Sequence, residues 1–398
     1  MAFSLTVPTH FDGEAYHRGR HTLHVDGGAF ALCADAAAPH LDLMDLDVTA
    51  LPGLIDAHVH LAITHAGAEE RALPAPALAL RMARNARTQL RAGVTTVRDL
   101  GAPEDLGPLF RAAVGDGLVA GPRVLCAGRP LVAPGGHGAF MGDPIVDADA
   151  ARRAVARAAA AGLDWIKVMV TGGLTTPDDA PASSRLPRAL IAAIVDEAHA
   201  HGLPVSAHAI GGPGVRDAVE AGVDSLEHGY WIDDEDVAAM AGHGTVYVPT
   251  RTVVRLVAEG VAIDGVRPPA SARSLARRAD AVHPDAVRRA HAAGVPVVAG
   301  TDYRHGSLPL EIELLAAAGL APLEALRAAT RAAAVLLRRD DLGSLMPGAR
   351  ADLVVVRGDP LRDLAALRDP LLVVLGGRLA WAHPELAAAP IARIDASP

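Results

Sequence analysis

Ala161-Gly162-Leu163-Asp164-Trp165-Ile166-Lys167-Val168-Met169-Val170-Thr171-Gly172-Gly173 contains the end of a helix, a strand and a sharp turn. The run from Asp149 to Ala161 is rich in Ala and Arg, both strong helix formers. Gly162 then supplies the left-handed cap that ends such a helix. Trp165 to Thr171 is apolar and β-branched, the composition of a strand. Gly172-Gly173 allows close backbone approach. The same unit recurs along the middle of the chain. Strand candidates, numbered one to eight, are Leu54 to Leu61, Thr95 to Leu100, Arg123 to Ala127, Trp165 to Thr171, Val205 to Ala209, Ser225 to His228, Val246 to Pro249 and Val295 to Asp302. Between them lie helical runs: Pro76 to Ala92, Asp149 to Ala161, Pro187 to His201, Gly214 to Ala221, Asp234 to Gly242 and His283 to Ala293. Several helices end in Ala-Gly or His-Gly, at Gly93, Gly162, Gly202, Gly222 and Gly294. Eight strands alternating with helices over roughly 250 residues predict an α/β fold, a (β/α)8 TIM barrel.

The two ends of the chain read differently. Residues 1 to 51 hold short alternating segments such as His21-Thr22-Leu23-His24-Val25-Asp26-Gly27-Gly28. Residues 345 to 398 hold Ala351-Asp352-Leu353-Val354-Val355-Val356 and Leu371-Leu372-Val373-Val374-Leu375-Gly376-Gly377-Arg378. Asp26-Gly27 and Gly376-Gly377 are hairpin-type turns. Both ends are expected to pair into one small composite β-sandwich, flanking a barrel built from residues 52 to 344.

Composition excludes several functions. A net charge of −9 argues against nucleic acid or an anionic membrane surface as partner. The N-terminus has no basic region followed by an apolar one, so no signal peptide is read. No stretch approaches the ~18 uninterrupted apolar residues of a membrane span. Cys33 and Cys126 are too few for a disulfide framework, so a reducing cytoplasm is the expected compartment. Exposed helices around an aliphatic core are compatible with a homo-oligomer.

A single lysine stands among the 37 basic residues, and it is Lys167 on strand four. A guanidinium stays protonated, whereas a buried ammonium can lose its proton and become a nucleophile. A neutral lysine amine can also take up CO2 to form a carbamate, a bidentate anion. Taken alone, Lys167 could be a chance survivor of drift from Lys to Arg. The other strands argue against chance. His58-Val59-His60 closes strand one, and residues i and i+2 of a strand share a face. Two imidazoles on one face can reach a common cation. His208 ends strand five, His228 strand six and Asp302 strand eight. The C-terminal ends of barrel strands are where active sites form. Four His, one Lys and one Asp gathered there predict a metal site.

Over nearly its whole length the chain resembles the amidohydrolase superfamily. The resemblance is carried by Pro52-Gly53-Leu54-Ile55-Asp56-Ala57-His58-Val59-His60, by Ala92-Gly93-Val94-Thr95-Thr96-Val97-Arg98-Asp99-Leu100-Gly101, by Gly300-Thr301-Asp302, and by Leu345-Met346-Pro347-Gly348-Ala349-Arg350-Ala351-Asp352-Leu353. Within the superfamily it is similar to the binuclear prolidase-like (Xaa-Pro dipeptidase-like) branch, with a relation to imidazolonepropionase-like proteins. Ile166-Lys167, Gly172-Gly173, Gly135-Gly136-His137-Gly138 and His228-Gly229-Tyr230 match that branch. The resemblance implies two divalent metal ions. His58, His60 and Asp302 would hold the first, His208 and His228 the second, and a carboxylated Lys167 would bridge them. Zinc suits these donors, and manganese or cobalt would also fit. The implied activity is cleavage of amide C–N bonds in dipeptides or N-acyl amino acids. A hydroxide between the metals would attack the carbonyl, with Asp302 as proton shuttle.

His137 and Tyr230 are candidates to hold the developing oxyanion or the substrate carboxylate. A loop histidine and ordinary rim packing are the plainer readings of the two. Arg251, after strand seven, and Arg304 with His305, after strand eight, are candidate substrate-binding cations, or else solvated loop charges. The loop from Thr175 to Leu186 departs from the branch and could shape the pocket. Alternatives remain open: a cyclic amide or lactone hydrolase acting on a specialised metabolite, and a catalytically dead metal-binding scaffold.

Overall fold

The structure, a computed structural model, describes residues 2–386 apart from 34, 36, 66, 67 and 175–181. Most of the loop from 175 to 186 and the segment from 387 to 398 therefore lie outside the described residues. The central strands are β1 (Leu54–Val59), β2 (Val94–Asp99), β3 (Arg123–Cys126), β4 (Ile166–Met169), β5 (Val205–Gly211), β6 (Ser225–Trp231) and β7 (Val246–Val248). All pair in parallel, β1-β2-β3 in one sheet and β4-β5-β6-β7 in another. The short segment Leu131–Val132 extends the second sheet beside β4. β3 and β4 share no ladder, but Asp164 N–H donates to the Cys126 carbonyl at 3.0 Å where they approach.

The expected eighth strand is an irregular extended segment rather than a ladder. Residues 295–302 form isolated parallel bridges to Tyr247 on one side and to Val59 on the other. Ala57 N–H donates to the Ala299 carbonyl at 3.0 Å, and Asp302 N–H to the His58 carbonyl at 2.7 Å. Pro296 has no N–H to give, which limits a regular ladder.

Helices fill the connections: Ala75–Arg91, Ala148–Ala160, Arg188–Ala200, Pro213–Glu220, Asp234–His243 and His283–Ala292. Each lies within about one residue of its sequence expectation. The five helix-to-strand glycines, at 93, 162, 202, 222 and 294, all have φ between 64° and 90°. Helices at Leu106–Gly115, Arg251–Glu259 and Leu308–Ala317 were not anticipated. The first carries Gly107, Pro108 and Gly115, and the last is apolar nearly all round.

Both termini build one eight-stranded sheet, not two separate layers. Its order is Arg378–Ala382, Pro370–Leu375, Leu353–Arg357, Val48–Pro52, Phe3–Phe11, Tyr16–Asp26, Ala29–Ala31, with His40–Asp42 also pairing Phe3–Phe11. The sheet curls back on itself, because Phe30 N–H donates to the Ala349 carbonyl at 2.8 Å. Phe3, Leu5, Val25, Phe30, Val355 and Val374 fill the curl. Gly27-Gly28 and Gly376-Gly377 make its tight turns with positive φ at both positions.

A larger aliphatic core lies between the parallel strands and the helices, as in Met82, Leu90, Val97, Ile194 and Val219. Cys33 is exposed and Cys126 buried, both as free thiols. Among the described residues no helix is long and apolar enough to cross a membrane.

Candidate metal centre

The strands deliver His58, His60, Lys167, His208, His228 and Asp302 to one buried cluster. Ring centroids are 5.3 Å apart for His58 and His60, 4.9 Å for His58 and His228, and 4.6 Å for His208 and His228. One ligand atom each from His58, His228 and Asp302 lies within 4.8 Å of the others. His60 Nε2 stands 3.7 Å from Asp302 Oδ1. His228 and Asp302 adopt φ of 74° and 62°, left-handed values that are costly for residues with a side chain.

Acceptor-only partners set the tautomer of three of the imidazoles. His58 Nδ1 donates to Glu227 Oε2 at 2.7 Å, His60 Nδ1 to the Gly101 carbonyl at 3.0 Å, and His208 Nε2 to the Gly172 carbonyl at 2.9 Å. His228 Nδ1 lies 2.8 Å from Thr250 Oγ1 and 3.2 Å from Tyr230 Oη. The opposite ring nitrogen of His58, His60 and His208 is left with its lone pair, the arrangement seen in metal-ligating histidines, and that of His228 is so when its Nδ1 donates to one of the two hydroxyls. His58 Nε2 and Lys167 Nζ are buried without a hydrogen-bond partner. A buried polar atom without a partner is costly, so a bound cation fits the lone pair of His58 Nε2, while Lys167, a donor only as the ammonium, would fit beside it once converted to an anion.

Electrostatics agree. Burial, then the Lys167 ammonium, holds His58 well below its ordinary pKa and His60 at about 3. His208 and His228 are depressed by burial and by the neighbouring imidazoles. Burial lowers Lys167 to about 8, with Glu227 pulling it up and Arg98 pushing it down. Burial raises Asp302 to about 7, against the opposing pull of Lys167 and Arg304. Neutral imidazoles and a readily deprotonated amine are the forms in which these groups bind metal or CO2.

Two positioning residues escaped the sequence reading. Glu227 accepts from His58 Nδ1, from Arg98 Nη2 at 2.9 Å, and from the hydroxyls of Ser206 at 2.8 Å and Ser225 at 2.6 Å. Arg98 is fully buried with its guanidinium 4.3 Å from the Trp165 ring centroid. A third, Asp56, accepts from Thr301 N and Oγ1 and from Gln89 Nε2, which ties β1 to the segment carrying Asp302.

His60, His208, His228 and Asp302 open on a cavity of about 690 Å³, its mouth included. His137 and Tyr230 line it. His137 stacks on His208 with centroids 4.4 Å apart, and a Cβ on Gly173 would overlap its ring. Burial pushes the Tyr230 phenol well above its ordinary pKa, so it keeps its proton. Arg251, Arg304 and His305 do not line this cavity, contrary to expectation. Arg251 turns to Asp280, 3.1 Å away. Arg304 and His305 border a separate surface pocket, where His305 Nε2 donates to the Ile63 carbonyl at 2.8 Å. Their backbone positions follow the strand ends, but their side chains point elsewhere. Arg71, from the short helix Ala68–Arg71, lines the cavity instead.

Residues 49–380 match the model of the amidohydrolase family. The chain is 31% identical over 379 residues to ochratoxinase of Aspergillus niger, covering 83% of this chain and 75% of that one. A solved Xaa-Pro dipeptidase with methionine bound in its active site superimposes with a TM-score of 0.87 at 28% identity, covering 96% of this chain and 100% of that one. Imidazolonepropionase of Salinispora arenicola is 37% identical over 151 residues, 36% of this chain and 33% of that one. The family model spans most of the residues and includes every strand that carries a ligand candidate, so the chain belongs to the amidohydrolase family, as a hydrolase of carbon–nitrogen bonds.

Proposed function

We propose that this chain is a binuclear metal-dependent amidohydrolase that cleaves amide bonds of small molecules, namely dipeptides or N-acyl amino acids. The observation that carries the reading is the pair of partnerless buried nitrogens, His58 Nε2 and Lys167 Nζ, beside His228 and Asp302. On this reading the two parallel sheets and residues 295–302 form one (β/α)8 barrel spanning 52–344. Residues 1–51 and 345–398 would be a companion domain, with the terminal sheet as its described part. His58, His60 and Asp302 would hold one cation, and His208 and His228 the other. Lys167, as its carbamate, would bridge them. The Lys167 amine attacks CO2 to form an N–C bond and releases one proton. Zinc fits the donor set. Bound divalent cations supply Lewis acidity and an acidified water at neutral pH.

The chain's own groups do the rest. Asp302 would take the proton of the attacking water and pass it to the leaving nitrogen, the two transfers a positioned carboxylate can perform. Tyr230 keeps its phenolic proton and would donate it in a hydrogen bond to the developing oxyanion. His137, stacked on His208, contributes a second polar edge to the same cavity. Glu227 and Arg98 hold His58 in its ligating tautomer. A net charge of −9 and a cavity with a polar, histidine-rich floor and an apolar wall fit a small molecule better than nucleic acid or membrane.

The direct test is amine release by metal-replete protein from dipeptides and N-acyl amino acids, with cyclic amides and lactones in parallel. Hydrolysis of a subset sharing one C-terminal residue supports the reading. Turnover of lactones or cyclic amides alone moves the substrate class. Inactivity on all of them at full metal occupancy identifies a scaffold.

A further inference from the structure

Four cations are buried among the described residues: Arg98, Lys167, Arg251 and Arg304. A charge taken out of water needs a counter-charge or a full set of hydrogen bonds. Arg98 pairs with Glu227 at 2.9 Å and Arg251 with Asp280 at 3.1 Å. Lys167 loses its charge on the reading above. Arg304, only 4% exposed, has no carboxylate in ion-pair contact among the described residues. Its Nη1 reaches the Val261 carbonyl only at 3.5 Å, and its Nε is buried without a partner. Its guanidinium carbon stands 5.4 Å from the Tyr303 ring centroid. Arg304 borders a surface pocket of about 760 Å³, mouth included, and Tyr303 lines both that pocket and the catalytic cavity. Arg84, Thr64 and Ser307 line the same pocket. Its one carboxylate among the described residues, Asp264, is taken by Arg84 at 2.7 Å. Ser307 is the N-cap of Leu308–Ala317 and spends no side-chain hydrogen bond on that cap. The positive end of that helix therefore meets the pocket with an uncommitted hydroxyl. Thr64 Oγ1 accepts from Arg84 Nη2 at 3.1 Å and from Asn85 Nδ2 at 3.2 Å, so its own proton is left to donate.

We infer that this pocket binds a small tetrahedral oxyanion, inorganic phosphate or the phosphoryl group of a metabolite, as the missing counter-ion of Arg304. The guanidinium supplies paired N–H donors. Arg84 adds a second positive charge, and the Thr64 and Ser307 hydroxyls add donors from other elements. Donors converging from several directions at a helix N-terminus suit a phosphate, which offers acceptors on every side. The anion is an effector and not a substrate, because the pocket is distinct from the cavity that holds the ligand cluster, with Tyr303 as their shared wall. No bond is made or broken there. The inference does not depend on the hydrolytic reading.

The experiment is calorimetric titration of inorganic phosphate, glycerol 1-phosphate and acetate into wild type, Arg304→Met and Arg304→Lys, with ionic strength held constant by chloride. Each protein is used metal-replete and again after chelator treatment, because phosphate also binds divalent cations. Wild type is expected to bind one phosphate per chain that survives chelation. Arg304→Met is expected to weaken it by roughly 10- to 100-fold, the scale of one charge-assisted hydrogen bond, and Arg304→Lys to keep part of the affinity. Saturating phosphate is also expected to raise the melting temperature of chelated wild type by a few degrees and to leave that of Arg304→Met in place. Tighter binding of the phosphomonoester supports the metabolite as source, and tighter binding of inorganic phosphate supports the free ion. Phosphate that leaves on chelation and persists in Arg304→Met belongs to the cations of the ligand cluster and overturns the inference. Absence of binding, or acetate held as tightly as phosphate, overturns it as well. If Arg304→Met does not fold, Arg304→Lys against chelated wild type decides: unchanged affinity and no melting shift in either overturns the site.

Discussion

Lys167 and Glu227 both bury a charge away from water, and they resolve it differently. Glu227 satisfies its oxygens with four protein donors. Lys167 Nζ has none, so its charge is expected to be removed by carbamate formation. Lys167→Arg keeps the positive charge and cannot form the carbamate. It is expected to drop the metal content from two ions per chain to one or none by elemental analysis, and to lose activity. Full metal content in that variant would sink the bridging role. Glu227→Gln leaves an acceptor for His58 but no charge for Arg98. Loss of such a supporting group typically costs about 10- to 100-fold in metal affinity, readable by chelator competition; wild-type affinity would show that Glu227 only fills space. The six ligand candidates were legible because each is a metal-binding residue type near the end of a strand. Arg98 and Glu227 were not, because their meaning is a contact between residues 129 positions apart. Arg71 was hidden in a four-residue helix with no period to read.

At the scale of elements, the strand ends carry strain. His228, Thr250 and Asp302 have φ of 74°, 50° and 62°, and Thr250 accepts or donates at His228 Nδ1. Nothing in local propensity places a non-glycine residue there; the surrounding hydrogen bonds impose it. Residues 295–302 show the same limit. Their β-branched composition announces a strand, yet the chain bridges β7 and β1 through a few contacts, because Pro296 lacks a donor and Gly300 sits too close to β1. A Cβ at Gly300 would stand 2.7 Å from His58 Cβ and 2.8 Å from Val248 Cγ1. Gly300→Ala must therefore displace β1 or the segment carrying Asp302. Overpacking of this kind costs about 1–3 kcal/mol, and here it also misplaces His58 against Asp302. The expected outcome is a lower melting temperature together with weaker metal binding. A variant as stable and as metal-replete as wild type would show that β1 and this segment are not held in close register. Strand order and helix positions were legible in the sequence, since Gly caps punctuate a strong alternation. Pairing of the two termini was legible too, from the alternating segments and Gly turns at both ends, but one curled sheet in place of a sandwich was not, because its closure rests on contacts such as Phe30 to Ala349 that no local pattern marks.

For the whole molecule, buried histidines and buried carboxylates pull stability in opposite directions with pH. His10, His58, His60, His137, His208, His228, His283 and His305 are all depressed, chiefly by burial. Each stays neutral in the folded chain while its unfolded counterpart protonates near 6.5. Unfolding therefore takes up protons below that pH, and acid destabilises the fold. Asp56, at about 6, and Asp99, Asp302 and Glu311, at about 7, are raised by burial. They keep protons that the unfolded chain releases near 4, so their contribution declines as pH rises from about 4 to 7. Eight histidines against these four carboxylates and Asp236, also raised by burial, give a net loss of stability on acidification from pH 6.5 towards 4. Bound metal adds to this slope. Cations that bind the folded state alone stabilise it by mass action, about 2.7 kcal/mol at a hundredfold excess over Kd, and four of the eight histidines are ligand candidates that protons would block. Metal-replete protein is thus expected to melt a few degrees above chelator-treated protein at pH 7, with the gap closing towards pH 5, while both forms lose stability over that range. Calorimetry across that window checks both parts. Identical melting with and without chelator at pH 7 would remove the metal from the folded state, and a chelated protein that gains stability on acidification would show that the buried histidines are not held neutral.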